Sequence, residues 1–174
     1  MSLKNLDCIA FGCGPGSFTG LRITVGVVQG LAFGANLPVV PISTLACLAQ
    51  GRFRMTGEKR CLVAMHARQE EVYWGSYRLH DGLMTKTHDE GVMEASEVSL
   101  PESGDWFGVG DGWIHQSILE QALGQKTRGV DQEALPHARD LISLAEHDFG
   151  QGRFVDAEHA RPSYLRETVA KKPS

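Results

Sequence analysis

The segment LDCIAFGCGPG at residues 6–16 is the most informative part of this sequence about its fold. Its first six residues are mostly apolar and predict a short buried β-strand, and its glycine-rich remainder predicts a tight turn. Ser17 or Thr19 can cap a helix that runs to about Gly34, and residues 37–42 predict the next strand. Strand, crossover helix and strand form a βαβ unit, which implies a parallel strand pair with a right-handed connection.

The remaining segments extend this unit into an α/β protein with mixed sheets. They predict helices over 43–53, 111–123 and 136–150 and strands over 61–65, 71–79, 83–93 and 105–110. A turn at 57–60 predicts a boundary between a first lobe, 1–56, and a second lobe, 57–174, which ends in an extended tail.

Composition places the chain among ordinary globular proteins. Of its 174 residues, 42% are apolar and 22% are charged, which is close to globular averages. The net charge of −4 argues against a stand-alone nucleic-acid binder, because phosphate affinity depends on clustered positive charge. We expect no membrane-spanning segment, since no apolar run approaches about 18 residues. The first five residues lack the apolar core of a signal peptide, which predicts a cytoplasmic location.

The residue types that usually carry catalysis lack the spacing that catalysis needs. None of the four cysteines forms a C-x-x-C pair, so they are interpreted as small buried apolar residues. No two of the seven histidines stand four residues apart, which excludes the H-x-x-x-H and H-E-x-x-H metal motifs. Ser17 has no histidine near it in the sequence to act as a base. The sequence therefore predicts no catalytic residues, no metal and no cofactor.

The glycine-rich turn at 12–16 has two interpretations. Backbone N–H groups at a helix N-terminus attract anions, which would suit a phosphate. However, a P-loop needs a lysine, and no lysine lies between Lys4 and Lys59. The dinucleotide fingerprint needs Gly or Ala where Thr19 stands. A tight strand-to-helix turn is the favoured interpretation.

A stripe of glycines marks the helix that follows the turn. Gly26, Gly30 and Gly34 recur every four residues, although each glycine inside a helix costs about 0.5–1 kcal/mol relative to alanine. Either the stripe packs on the protein's own sheet, or it lets a helix of another chain approach closely. The helix carries apolar residues on several sides, more than one sheet contact requires, which favours an interface: Phe18, Leu21, Val25, Val28 and Phe33.

Two further groups of residues have a functional and a structural interpretation. Charged residues gather at 66–71 between two predicted strands and could supply an acid–base pair. A solvated connection between two strands is the favoured interpretation, because loops are normally polar and exposed. Trp74, Trp106 and Trp113 lie in or beside predicted strands and are interpreted as core residues.

Several motifs, in order along almost the whole chain, resemble those of the bacterial TsaB (YeaZ) family. The most specific is GPGSFTGLR at residues 14–22, followed by VGVVQGLA at 25–32. The further matches are STL at 43–45, AR at 67–68 with EVYW at 71–74, VGDGW at 109–113, EHA at 158–160 and PSYLR at 162–166.

The resemblance implies an actin-like (ASKHA, ribonuclease H-like) fold with two lobes and a role in making threonylcarbamoyladenosine in tRNAs that read ANN codons. In that family TsaB is a non-catalytic partner of TsaD, which carries the metal, and TsaE is the associated ATPase. Family members pair through the helix after the GPGSFTG turn, with themselves and with TsaD. This implies a partner-binding surface, a homodimer and contact with tRNA only through the complex. The implied residues are Phe18, Leu21, Arg22, Val25, Gly26, Gln29, Gly30, Phe33 and Gly34.

The chain departs from the family pattern at two places. Family members begin with a strand and phosphate loop, a hairpin, a third strand and a helix before the segment that matches Leu6, so we expect a first lobe truncated at its N-terminal portion. His66 stands where relatives usually carry Asp, which leaves no role assigned to this position. Two alternatives to a scaffold subunit stay open: a glycoprotease-like peptidase and a sugar-kinase-like nucleotide-binding module.

Overall fold

A parallel pair of strands and a larger mixed sheet form the framework of the protein, whose computed structural model describes residues 3–165. The strands are β1 (Ile9–Gly14), β2 (Val39–Ser43), β3 (Arg60–His66), β4 (Glu71–His80), β5 (Leu83–Lys86), β6 (Gly91–Glu94), β7 (Phe107–Val109) and β8 (Val130–Asp131). The α-helices are α1 (Phe18–Ala35), α2 (Thr44–Thr56), α3 (Gln116–Leu123) and α4 (Ala138–Gly150). Short 3-10 helices cover Leu3–Asn5, Ala95–Glu97, Asp111–His115 and Ala157–His159.

β1 and β2 pair in parallel and α1 connects them, which confirms the predicted βαβ unit. Successive residues of a strand point to opposite faces of a sheet. On one face Phe11 and Val39 pack with the buried side of α1. On the other face Val40 and Ile42 pack against α4, where Ala145 is buried with them. Both faces of this small sheet are therefore covered.

The second sheet has the order β5-β4-β3-β7-β8, and β6 also pairs with β4. β3 is its central strand, antiparallel to β4 and parallel to β7. α2 covers one face, where Leu45 and Leu48 pack on Tyr77. The three tryptophans lie on the other face, as predicted for core residues, and the indole N–H of Trp113 donates to the Leu62 carbonyl at 3.0 Å.

The C-terminal part of the chain returns to the first sheet. α4 packs on β1, β2 and α2, and Val155 exchanges backbone hydrogen bonds with Val39 at 2.8 and 2.9 Å. The division into 1–56 and 57–174 stays a prediction. The observed packing places α4 and Val155, from the second predicted lobe, against the strands of the first.

Two strand predictions need correction. The first strand begins at Ile9 and includes Gly12 and Gly14, because pairing with Ile42 and Ser43 of β2 holds these glycines in the ladder. The strand predicted over 83–93 is two strands, β5 and β6. Both pair with β4, and residues 87–90 leave the ladder between them.

The helix predicted over 111–123 also differs. Its first turn is the 3-10 helix Asp111–His115, and the α-helix begins only at Gln116. Asp111 does not cap this helix, because its carboxylate accepts the backbone N–H of His66 at 2.9 Å. The predicted tail at 162–166 is described to residue 165, and residues 166–174 lie outside the described part.

Candidate functional site on the first helix

Local sequence fixes both ends of α1. The Ser17 hydroxyl accepts the N–H of Gly20 at 3.4 Å, so the predicted cap is Ser17 rather than Thr19. Asn36 ends the helix in the left-handed conformation, with φ of 54°, and its N–H donates to the carbonyls of Ala32 and Phe33. Both ends of α1 are therefore capped where the helix joins β1 and β2.

One side of α1 anchors it to the protein. Val25, Val28 and Ala32 are buried against β1 and β2. Beside them, the Gln29 side-chain amide donates to the Ala160 carbonyl at 3.0 Å. These residues lie three or four positions apart, which places them on the same side of a helix.

The opposite side of α1 faces away from the rest of the protein. A Cβ atom built on Gly26, Gly30 or Gly34 would meet nothing within 4 Å. Around these glycines, Phe33 is 83% exposed and Ile23 is 63% exposed. The interpretation that the stripe packs on the protein's own sheet is therefore wrong. The side formed by Ile23, Gly26, Val27, Gly30, Leu31, Phe33 and Gly34 is called the α1 face below.

The nine residues implied by the family resemblance divide into three groups. Val25 is buried in the core and is not at the surface of this chain. Leu21 and Gln29 are half-buried. The exposed members are Phe18, Arg22, Gly26, Gly30, Phe33 and Gly34.

Sequence reasoning missed three residues of the α1 face, Ile23, Val27 and Leu31. Val27 is 55% exposed and Leu31 is 43% exposed. Their spacing could have identified them, because Ile23 and Val27 each stand three positions before a glycine of the stripe, and Leu31 follows Val27 by four.

A groove of about 1240 Å³ runs along the C-terminal half of α1. Gly30 and Phe33 form part of its apolar wall, and Phe154 from the returning chain lies opposite. Asp156 and Glu158 line the same groove. The α1 face thus continues into a concave surface with an acidic border.

The length of α1 bears on the expectation that no segment spans a membrane. Within residues 3–165, α1 is the one helix whose length of 18 residues and apolar composition would allow it to span a membrane. In the structure 17% of this helix is buried. Arg22, Thr24 and Gln29 interrupt the apolar residues of this helix, so it contains no continuous apolar run of this length.

The candidate nucleophiles of the first half of the chain have structural roles. Burial is the main cause that raises the pKa of the Cys13 and Cys47 thiols to about 11 and of the Cys61 thiol to about 12. A protonated thiol is a poor nucleophile near neutral pH. Ser17 is used as a helix cap. In the part of the chain that the structure describes, no three His, Cys, Asp or Glu side chains converge in a way that could hold a metal ion.

The βαβ unit beside a mixed sheet places the chain in the actin-like (ASKHA) class of α/β proteins. The model of the family described as "TsaD: tRNA N6-adenosine threonylcarbamoyltransferase" matches residues 1–110. Two similar curated proteins carry the description "tRNA threonylcarbamoyladenosine biosynthesis protein TsaB". The one from Escherichia coli is 42% identical over 98% of this chain and 75% of its own length. The one from Haemophilus influenzae is 35% identical over 99% and 75%.

Solved structures agree with this assignment. The crystal structure of a Pseudomonas aeruginosa protein "with similarity to peptidase YEAZ" has a TM-score of 0.89 and 45% identity, and the match covers 95% of this chain and 76% of that one. "YeaZ from Pseudomonas aeruginosa" has a TM-score of 0.88 and 45% identity, over 94% and 76%. The chain belongs to the TsaB (YeaZ) family and spans about three quarters of the length of these relatives.

Proposed function

We propose that this chain acts in tRNA threonylcarbamoyladenosine biosynthesis as a non-catalytic subunit that binds TsaD through the α1 face. Alone, the chain pairs with a second copy of itself through the same face. TsaE is the third component of the complex, tRNA is contacted only through the complex, and the site of action is the cytoplasm. The names of the curated relatives support the pathway.

The α1 face is the observation that carries the proposal. Large apolar side chains are more than half exposed on both sides of a line of glycines with open space above them, as Ile23 and Phe33 show. A contiguous exposed apolar patch usually marks an interaction site. Because glycine has no side chain, a partner helix can approach closer than the usual 8–10 Å between helix axes. The geometry suits a helix of another chain.

The non-catalytic part of the proposal is supported by what the possible nucleophiles do. Cys13, Cys47 and Cys61 are buried and held protonated, and the Ser17 hydroxyl accepts a backbone N–H. None of these groups combines exposure with activation, which covalent catalysis requires.

A bulky residue in the middle of the stripe tests the proposal. Gly30→Leu should leave the folding stability unchanged or raise it slightly, because leucine favours a helix by about 0.8–1.0 kcal/mol over glycine and its Cβ atom has open space, with no atom of this chain within 4 Å. The same side chain should block the approach of a partner helix. We expect TsaD capture and self-association to be lost, as measured by pull-down and by analytical ultracentrifugation.

Gly150→Leu is the matched control, since Gly150 ends α4, is exposed and also has open space around it. This variant should bind TsaD as well as the unmodified chain. A Gly30→Leu protein that still captures TsaD would contradict the assignment of the α1 face.

A further inference from the structure

A pocket of about 580 Å³ lies beside the N-terminus of α1, away from the glycine stripe. Three segments distant in sequence line it, within 15–22, 67–73 and 163–165. The first segment contains Phe18, Leu21 and Arg22, which the family resemblance also implies as partner contacts. The other two contain motifs that lie outside α1, the Ala-Arg pair after β3 and the Pro-Ser-Tyr-Leu run. The volume lies within the range of about 300–1,000 Å³ typical of small-molecule sites.

Two arginines, Arg22 and Arg68, give this pocket positive charge. Of the residues that the structure describes, 3–165, no acidic one lines it. Among the ion pairs found within residues 3–165, none uses either arginine. The adjacent N-terminus of α1 adds partial positive charge and carries no acidic residue in its first turn. An anionic group is the natural ligand of such a site.

Exposed aromatic rings form the other part of the wall. Phe18 is 57% exposed and Tyr164 is 51% exposed, with ring centroids 6.2 Å apart. The Arg22 guanidinium lies over the Phe18 ring, 3.9 Å from its centroid, and Tyr73 lines the pocket as well. Rings and guanidinium planes arranged in this way offer stacking surfaces for a flat aromatic ligand.

We infer that this pocket binds one nucleotide unit, with its base stacked on Phe18 and Tyr164 and its phosphate paired with Arg22 and Arg68. A free mononucleotide and an unstacked nucleotide of single-stranded RNA share this chemistry. A site for one unit needs only local positive charge, so it agrees with the net charge of −4. An acidic peptide would satisfy the arginines but would leave the rings without a partner.

Calorimetric titration of the whole chain with AMP and with a short single-stranded oligo-uridylate tests this inference. We expect saturable binding that weakens as salt is added. Arg68→Gln and Tyr164→Ala should each raise the dissociation constant about tenfold, through loss of a phosphate contact and of a stacking surface. Arg139→Gln is the control, because Arg139 is exposed on α4, outside the pocket, and should change nothing.

The pattern of binding identifies the source of the nucleotide. AMP bound as tightly as the oligonucleotide indicates a free mononucleotide. Binding of the oligonucleotide alone indicates RNA, and it would replace the proposal that tRNA is contacted only through the complex. Oligo-glutamate is titrated as a third probe. Three results would overturn the inference: no binding of either nucleotide probe at millimolar concentration, equal affinity in Arg68→Gln, or oligo-glutamate bound as tightly as both nucleotide probes. Arg68 and Tyr164 lie outside α1, so both variants should still capture TsaD, and the two proposals fail separately.

Discussion

Gly108 and Gly26 show that the surroundings of a glycine determine the effect of an added methyl group. A Cβ atom on Gly108 would lie 2.5–2.9 Å from the indole ring of Trp113, which is fully buried and held by its hydrogen bond to Leu62. Gly108→Ala should therefore lower the free energy of unfolding by about 1–3 kcal/mol. Gly26→Ala, in open space, should raise it by about 0.5–1 kcal/mol. Urea denaturation of both variants measures the difference, and a stable Gly108→Ala protein would show that the Trp113 ring can shift.

The buried thiols predict a loss of stability in alkali. Burial raises the pKa of Cys61 to about 12, above the value of about 8.5 in an unfolded chain. Below pH of about 8.5 the thiol is protonated in both states and its stabilising effect is fully present. As pH rises toward about 12 only the unfolded state ionises, and stability falls by up to about 1.4 kcal/mol per pH unit. Above pH of about 9, the urea concentration at the denaturation midpoint should fall less steeply with pH in Cys61→Val than in the unmodified chain. Parallel curves for the two proteins would contradict this prediction.

Among the strands that the structure describes, β1 has a hydrogen-bonded neighbouring strand along one edge only. It pairs with β2 along one edge, whereas β3 is paired along both edges, with β4 and β7. Backbone hydrogen bonds near an open edge break in local unfolding more readily than those inside a sheet. Amide protons before about Ser43 should therefore exchange faster than those of β3 and β4, as measured by hydrogen exchange with mass spectrometry. Equal protection would show that self-association or a rearrangement of the chain covers the free edge.

Secondary structure was predictable where local signals agree with the packing. The start of α2 after its Ser43 cap and the hairpin between β4 and β5 follow their sequence signals, and Asp81 and Gly82 adopt positive φ at that turn. The predicted end of α2 near Phe53 is wrong, because the helix continues to Thr56 and Gly57 caps it. The predicted end of the first strand was wrong, because pairing with β2 outweighs the turn preference of Gly12 and Gly14. That pairing depends on residues about 30 positions further along the chain. Asp111 was predicted to cap the helix after β7, but it accepts a hydrogen bond from His66, a contact that the local pattern does not contain.

The candidate surface was only partly predictable for the same reason. Glycine spacing indicates a special side of α1, but it does not say whether that side faces the sheet or the solvent. The answer depends on which side carries Val25 and Val28, since these residues fix the rotation of the helix on β1 and β2. The pocket beside Phe18 needs Arg68 and Tyr164 from distant segments, so only the folded chain brings it together.

Across the whole molecule, polar contacts connect the two sheets while the α1 face stays uncovered. Arg54 of α2 pairs with the carboxylate of Asp140 on α4, which is 2% exposed, through hydrogen bonds of 2.5 and 3.1 Å. This contact joins α4, which covers the first sheet, to α2, which covers the second. A large exposed apolar surface such as the α1 face is expected to mediate association with another chain.

Self-association through the α1 face should make thermal stability depend on protein concentration. A partner that binds only the folded chain stabilises it by mass action, so the Tm should rise as the concentration of the chain is raised. Gly30→Leu, which places a side chain into the open space above the stripe, should give a Tm that stays constant with concentration. Gly150→Leu should behave like the unmodified chain. Differential scanning calorimetry over a wide concentration range makes the comparison, with sedimentation on the same samples. A constant Tm and a monomeric unmodified chain would show that the α1 face does not accept a second copy and that its partner must be a different protein.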